Sequence, residues 1–360
     1  MTGGAASPSA GPPLSVLVLG VGGNVSQGIL KALSLSALPT RTIAGCVGPL
    51  SLGLYRADLS LVTPLANDPG FLPWVEATCL AEGVDAVLSG SEPVLEALAP
   101  AAEQIRERTG ARCLVSSPEV LAIGQDKLAT ARWLEREGLA HPLSAATADR
   151  EAVAALIAAV GLPLVAKPRR GKSAEGVSIV RTHAELEGAL VQPDLVLQEH
   201  LPDGAEYTVG CMSDGEGRVR GVIAMLRELA GGTTTRAEIG RFPGVEAYAT
   251  TVAERLGATG PLNVQLRLRG DEPVAFELNV RFSGTTPVRA RAGFNEVEAG
   301  LRHFVLGEPM ALGIPRPGTM LRYFNEMYVP ASAREALTAR GRLEDPWAEA
   351  VVVEDWGMGR

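Results

Sequence analysis

Two segments of this chain carry side chains that can hold a metal ion and a phosphate group together. They are Asn263-Val264-Gln265 and, after a short turn, Phe276-Glu277-Leu278-Asn279-Val280-Arg281. Read as a β-hairpin with Gly270-Asp271-Glu272 as a three-residue loop, Arg269 faces Pro273, Gln265 faces Glu277 and Asn263 faces Asn279. Directly opposed residues place their Cβ atoms roughly 5 Å apart. Strand side chains alternate with a period of two, so Glu277, Asn279 and Arg281 share one face. Phe276, Leu278 and Val280 then point the other way, into a core. Two side-chain amides, a carboxylate and a guanidinium converge. Hard oxygen ligands with room for phosphate oxygens suit Mg²⁺ in a nucleotide site. An adjacent arginine matches a phosphoryl group in charge and fork geometry. The pattern therefore describes a candidate Mg–ATP site. A solvated amphipathic hairpin would explain the alternation alone, and the order of residues upstream favours the chemical reading.

Lys167 ends an apolar strand and is followed by Pro168-Arg169-Arg170-Gly171-Lys172-Ser173-Ala174-Glu175-Gly176. A lysine before a polar loop with exposed amides can clamp and cover phosphates. Gly-x4-Gly-Lys-Ser/Thr is absent, so this is no Walker A loop. Val196-Leu197-Gln198-Glu199-His200-Leu201 is an apolar strand with a polar exit, whose backbone could meet adenine. Glu206 follows one short turn later and could accept ribose hydroxyls. Asp126-Lys127 stands near the start of a helix further upstream.

These residues need elements to position them. The apolar run Leu14–Leu19 reads as a buried strand, turned by Gly20-Val21-Gly22-Gly23-Asn24 into a helix over 26–35. Strands over 42–47, 86–89 and 112–115 alternate with helices over 73–82 and 92–109. That alternation predicts a doubly wound α/β domain to about residue 116. Ser117-Pro118-Glu119 signals a helix start, with a serine cap and proline in the first turn. A second helix spans 125–137. Residues 141–198 read as an α+β module: helices over 150–160 and 183–190, strands over 163–167, 177–180 and 195–199. From Glu206 strands recur, over 207–212 and 219–226, with Ala230-Gly231-Gly232-Thr233-Thr234-Thr235 read as a mobile loop. A late helix covers 295–306. Residues 331–360 read as a helix and tail.

Composition narrows the function. With 360 residues, 46% of them hydrophobic and 21% charged, the chain suits two or three globular domains. Net charge is −8 and aromatics are 4%, which argues against nucleic-acid backbone binding or base stacking. The four cysteines form no CxxC, so neither a zinc site nor a disulfide framework is expected. The start, MTGGAASPSAGPP, has neither a cationic n-region nor an apolar core, and residues 1–13 read as a disordered tail. No apolar run is long enough for a membrane helix. The expected compartment is the cytoplasm. His141, His183, His200 and His303 fall in no catalytic or metal-binding spacing and are expected to be surface or structural residues. A dinucleotide site at Gly20–Gly23 is disfavoured, because Val25 replaces the third glycine and no acidic residue ends the second strand.

The ordered set is Asp126-Lys127, Lys167 with its loop, Gln198 to Leu201, Glu206, then Gln265, Glu277, Asn279 and Arg281. It resembles the ATP-grasp superfamily, and within it the carbamoyl-phosphate-synthase-like branch, as a stand-alone carboxylate–amine ligase. There a Gln followed by Glu-x-Asn-x-Arg also holds the metal. Gly20-x-Gly-Gly-Asn and Gly90-Ser91-Glu92 resemble the domain that precedes the grasp. The resemblance covers about residues 14–310. It implies an N-terminal doubly wound parallel-sheet domain followed by a two-lobed α+β ATP-grasp domain. The expected divisions are 14–116, a small lobe at 117–198, a large lobe at 199–330, and 331–360. It further implies that Lys127 and Lys167 contact ATP phosphates beneath a lid over 169–176, with Gly171, Lys172, Ser173 and Gly176 in it. Gln198, Glu199 and Leu201 would line the adenine site and Glu206 would bind ribose. Gln265, Glu277 and Asn279 would hold Mg²⁺ or Mn²⁺. Arg281, with Lys167, would act on the transferring phosphoryl group. Gln265 departs from the acidic ligand of other branches, and the lid has fewer glycines than many. Arg227, Arg236, Arg289 and Arg291 are candidates for an anionic substrate. The expected activity joins a carboxylate to an amine through an acyl phosphate, on a small molecule, amino acid or short peptide. A non-catalytic ATP-binding regulator, or a ligase with a non-amine nucleophile, is the alternative. Expected partners are small molecules and at most a second copy of the chain.

Overall fold

The computed structural model describes residues 12–171, 175–202, 204–323, 325–346 and 351–353. The chain divides into two compact units. One holds the described residues up to Leu114 with Gly300–Gly307 and those from Asn325 onward; the other holds Val115–Ala299 and the described part of 308–324. The fold class is the expected one, a parallel-sheet α/β unit and a unit of antiparallel sheets with helices.

The first unit is built on one sheet. Its strands lie in the order Arg342–Glu344, Leu59–Val62, Thr40–Cys46, Leu14–Leu19, Ala86–Ser89, Arg112–Cys113. All neighbours are parallel except the first pair. Central strands of such a sheet are covered on both faces and read as continuous apolar runs, as Leu14–Leu19 does. Val16, Leu17 and Val18 are fully buried. Phe71, Val75 and Cys79 of the helix Phe71–Glu82 pack with Leu17, Leu19 and Ile43. The glycine turn after Leu19 is tight: the Gly23 N–H donates to Gly20 O at 3.0 Å, and Ser26 Oγ donates to Leu19 O at 2.8 Å.

Three features of this unit differ from expectation. The run over 92–109 is not one helix but Glu92–Leu98, a 3₁₀ turn Ala99–Ala101, and Ala102–Thr109. Pro100 sits at the break, where it can neither donate an N–H nor avoid the preceding turn. The strand Leu59–Val62 is only four residues long and gives no local pattern of its own. Beyond Ala331–Arg340, the expected tail contributes the edge strand Arg342–Glu344 and the strand Val351–Val353, which pairs with Glu326–Tyr328.

The second unit carries two sheets. The smaller has the order Ser144–Ala146, Leu195–Glu199, Leu164–Pro168, Ser178–Val180, all antiparallel. Helices Arg150–Val160 and His183–Leu190 cover it, and Val153, Leu156 and Leu186 pack on Leu164, Ala166 and Leu197. The larger has the order Glu272–Asn279, Thr259–Arg269, Glu206–Asp214, Val219–Ala230, Thr233–Ile239, Gly318–Leu321. The segment expected as a loop over 230–235 is a hairpin. Only Gly231 and Gly232 lie outside the strands, at φ +54° and +70°. Two residues with positive φ make the primed turn that matches strand twist, and glycine adopts it without strain.

The hairpin of Thr259–Arg269 and Glu272–Asn279 keeps the expected register at its chemical end. Asn263 pairs with Asn279 and Gln265 with Glu277. At the tip it differs: Arg269 pairs with Glu272 across a two-residue turn, and a bulge lies beyond Gln265. Phe276 is the extra residue of the bulge. It is therefore half-exposed rather than in the core where simple alternation would put it.

Candidate active site

A cavity of about 320 Å³ lies within the second unit, in the size range of small-ligand sites. Lys127, Lys167, Gly171, Gln198, Glu199, Leu201, Glu206, Arg227, Gln265 and Glu277 all line it. Ten residues singled out in the sequence, spread over 150 positions, thus meet in one place.

One wall carries the lysines. Asp126 caps the helix Lys127–Arg136 by accepting from the N–H groups of Leu128 and Ala129 at 2.9 and 3.2 Å. It also pairs with Arg169. Burial works against its ionised form, but Arg169 and the two N–H groups outweigh burial and hold its pKa below the usual value. This pairing ties the helix start to the loop after Lys167. Lys127 N donates to Arg169 O at 3.0 Å, and Lys127 Nζ to Gly171 O at 3.2 Å. Lys167 is 5% exposed. Its Nζ donates to Gln198 Oε1 at 2.7 Å and to Phe276 O at 3.5 Å. Burial brings its pKa down to about 8; Glu277 opposes that shift and Lys127 adds to it. The Phe276 ring lies 5.8 Å below the ammonium.

Gln198 differs from its expected role. Its strand neighbours leave its side chain buried against Lys167, where it supports the lysine. The N–H of Glu199 is already donated to Leu143 O at 2.8 Å, so its carbonyl is the group it can offer an adenine amino group. Its carboxylate is held by Arg269 Nη2 at 3.0 and 2.9 Å. Glu206 is clamped on both oxygens. Arg227 donates to Oε1 from Nε and Nη2 at 3.0 and 2.6 Å, and Arg267 to Oε2 from Nε and Nη2 at 3.1 and 2.9 Å.

The hairpin face supplies the metal-type donors. Gln265 Oε1 accepts from Arg227 Nη2 at 2.8 Å. Asn279 Nδ2 donates to Glu277 Oε1 at 3.2 Å, and Asn279 Oδ1 accepts from Arg281 Nη2 at 2.7 Å. An amide oxygen has two lone pairs, so Gln265 and Asn279 each keep one for an ion. Among the described residues no group of three or more His, Cys, Asp or Glu side chains could hold a metal. The donor set is one carboxylate between two amides, hard oxygens that fit Mg²⁺ or Mn²⁺ when phosphate oxygens complete the shell.

Not every candidate reaches the cavity. Asn279 and Arg281 sit beside Glu277 but do not line it. Gly176 closes the loop at φ +71°, with Pro168 Cγ 2.9 Å from where a Cβ would stand. Lys172 and Ser173 lie outside the described residues. Arg236 is exposed and pairs with Glu228 at 3.5 Å. Arg291 is exposed too, away from the cavity lining. Arg289 cannot meet a substrate at all. Its side chain is 1% exposed, pairs with Glu296 at 3.3 Å and donates to Asn263 Oδ1. Its guanidinium crosses Gly210, where a Cβ would lie 2.2 Å from Nη1. Arg227 is the one arginine of the four candidates that lines the cavity, as a partner of Glu206 and Gln265.

Other lining residues escaped the sequence reading. Arg267 lines the cavity and alternates with Gln265 along one strand face, which is a signal in the sequence. Glu175, Phe276 and His200 also line the cavity. His200, expected as a surface or structural residue, stands beside Glu199 in the sequence, which is the available clue.

A family model described as "ATP-grasp in the biosynthetic pathway with Ter operon" matches residues 191–327. The carbamoyl phosphate synthase large chain of Rubrobacter xylanophilus is 29% identical over 233 residues, 59% of this chain and 22% of that one. The chain spans about a fifth of the length of such relatives. Among solved structures, N5-carboxyaminoimidazole ribonucleotide synthetase from Thermus thermophilus superposes with TM-score 0.67 at 24% identity, covering 86% of this chain and 82% of that one. An L-amino acid ligase from Bacillus licheniformis gives TM-score 0.59 at 18% identity, over 81% and 73% of the two chains. At these identities the structural likeness is one of fold.

Proposed function

We propose that this chain, which belongs to the ATP-grasp superfamily, is an ATP-dependent carboxylate–amine ligase acting on a small molecule. The observation that carries the reading is one cavity lined by both Lys127 and Lys167 and by Gln265 and Glu277. Cations suited to phosphates and oxygen donors suited to a divalent ion thus border one space.

In this reading the Glu199 carbonyl and the Leu201 N–H meet the adenine edge. Each oxygen of Glu206 already accepts two N–H donors, so a ribose hydroxyl replaces one arginine arm. Arg267 is the arm that yields, because its side chain is 29% exposed against 8% for Arg227. Lys127, Lys167 and the loop amides neutralise the triphosphate. Glu277, Asn279 and Gln265 would hold Mg²⁺ or Mn²⁺, which when bound draws charge from the phosphoryl oxygens. Arg281 keeps Asn279 turned toward Glu277 and, in this reading, would stabilise the charge that develops on the transferring phosphoryl group.

Activation is required chemically. An amine attacking a carboxylate anion would have to expel oxide. Attack of the carboxylate oxygen on the γ-phosphorus instead breaks the bond to ADP and leaves an acyl phosphate. The amine nitrogen then attacks the acyl carbon, and phosphate leaves with the bonding pair. Positioning and charge neutralisation supply the rate, without a covalent nucleophile on the protein. Carboxylate activation is also in keeping with the names of the relatives, an amino acid ligase among them.

The test is incubation with Mg–ATP and pooled amino acids, with ADP and phosphate measured and the product read by mass spectrometry. Stoichiometric ADP and phosphate with a new amide mass supports the ligase. Tight ATP binding without ADP release under any acceptor pool refutes it in favour of a nucleotide-binding regulator.

A further inference from the structure

Gln198, buried on the cavity lining, and Ser144, half-buried, form a polar pair that bears on Lys167. They face each other on adjacent strands of the small sheet, and Gln198 is 4% exposed. Ser144 Oγ donates its one proton to Pro142 O at 2.9 Å. That leaves it only as an acceptor toward Gln198 Nε2, 2.9 Å away. The amide is thereby oriented by donor accounting: nitrogen toward Ser144, oxygen toward Lys167. Lys167 Nζ meets that oxygen at 2.7 Å.

We infer that Gln198, oriented by Ser144, is a positioning residue that holds the Lys167 ammonium on the cavity wall as an un-neutralised cation. This rests on the reading of Lys167 as a phosphate contact. A neutral acceptor satisfies one of three ammonium protons and leaves the charge intact for a polyanion. A carboxylate at the same place would pair with the ammonium and compete with phosphate. The buried setting makes the choice matter, since charge pairs are screened little there. Burial lowers the Lys167 pKa to about 8, as expected of an amine without a directly bonded anion. The charged groups bearing on it are Glu277 from the hairpin, which favours the cation, and Lys127 from the helix start, which opposes it.

The test is a double-mutant cycle on ATP affinity, measured by calorimetry with Mg²⁺ and a non-hydrolysable analogue. Gln198→Glu is expected to weaken binding about tenfold or more in the wild-type background, and Gln198→Met, which removes the acceptor without adding a charge, to give a smaller loss there and less than about twofold when Lys167 is already Met. Ser144→Ala, which frees the amide to turn, is expected to give a smaller loss, again present only with Lys167. The Ser144 variant also keeps the test decisive should Gln198→Glu fold poorly. Equal losses in both backgrounds would overturn the inference, since a merely structural role costs the same with or without the lysine. No loss in either variant would overturn it too. Wild-type affinity in Lys167→Met would instead sink the phosphate role of Lys167. Absence of nucleotide binding by the wild type would sink the ligase reading.

Discussion

Raising the pH should weaken nucleotide binding through a single group, Lys167. Its amine is buried and its pKa falls from 10.5 to about 8 in the free protein. Bound phosphates would restore a pKa near that of an ordinary lysine, so binding takes up a proton above pH 8. With free and bound values near 8 and 10.5, the dissociation constant should rise about thirtyfold between pH 7 and 9.5. The same shift enters folding stability with a definite sign. Below pH 8 the lysine is charged in both folded and unfolded chains, and burying that charge costs roughly 3 kcal/mol. Between pH 8 and 10.5 the folded chain releases the proton while the unfolded chain keeps it. The cost is then relieved and stability rises with pH, relative to Lys167→Met. The assay is calorimetric titration with a non-hydrolysable ATP analogue at saturating Mg²⁺, for wild type and Lys167→Met. The variant should bind more weakly at pH 7 and show a flat profile. A wild-type affinity constant from pH 7 to 9.5 would refute the reasoning, because Lys167 would then not face the phosphates.

Glu277→Ala should abolish ADP release while leaving the thermal midpoint nearly unchanged, since this carboxylate faces the cavity and not a core; steady-state turnover and a melting curve check both halves. Arg281→Lys should lower kcat about a hundredfold or more with little change in KM for ATP, by analogy with lost oxyanion donors; a variant with normal kcat and weakened ATP affinity would make Arg281 a ground-state contact. Arg289→Ala should destabilise the fold by about 3–5 kcal/mol, because Glu296, fully buried, loses its charge partner. An unchanged denaturant midpoint would refute this pair as a source of stability. Gly210→Ala should also destabilise, since the new methyl would overlap the Arg289 guanidinium, and a lowered denaturant midpoint checks it.

Much of the site was legible because it depends on local alternation. The period of two along Thr259–Arg269 and Glu272–Asn279 is enough to put Gln265, Glu277 and Asn279 on one face. The bulge at Phe276 changes the tip of the hairpin and not that face, because a two-residue turn plus one extra residue restores the register of a three-residue loop. The Gly231-Gly232 turn is equally legible, since two glycines between β-prone runs are a hairpin signal, although the small and polar composition of 230–235 points to a loop. The edge strand Arg342–Glu344 was not legible. Three residues carry no period, and their pairing with Leu59–Val62 spans nearly the whole chain.

The sequence by itself determined the order of chemical groups, the faces they share along each strand, and the continuous apolar runs that must be buried. Those properties follow from backbone periodicity, which acts over a few residues. Only the tertiary structure decided which long side chain meets which partner. Arg227 and Arg289 look alike in the sequence, yet one lines the cavity beside Glu206 and the other is sealed against Glu296 and Asn263. Gln198 was readable as a backbone contact, and the neighbouring strands made it the acceptor for Lys167. The physical reason is that a flexible side chain has many rotamers of similar energy. Burial and a partner contributed by a distant strand select one of them, and neither is written in the residue's own neighbours.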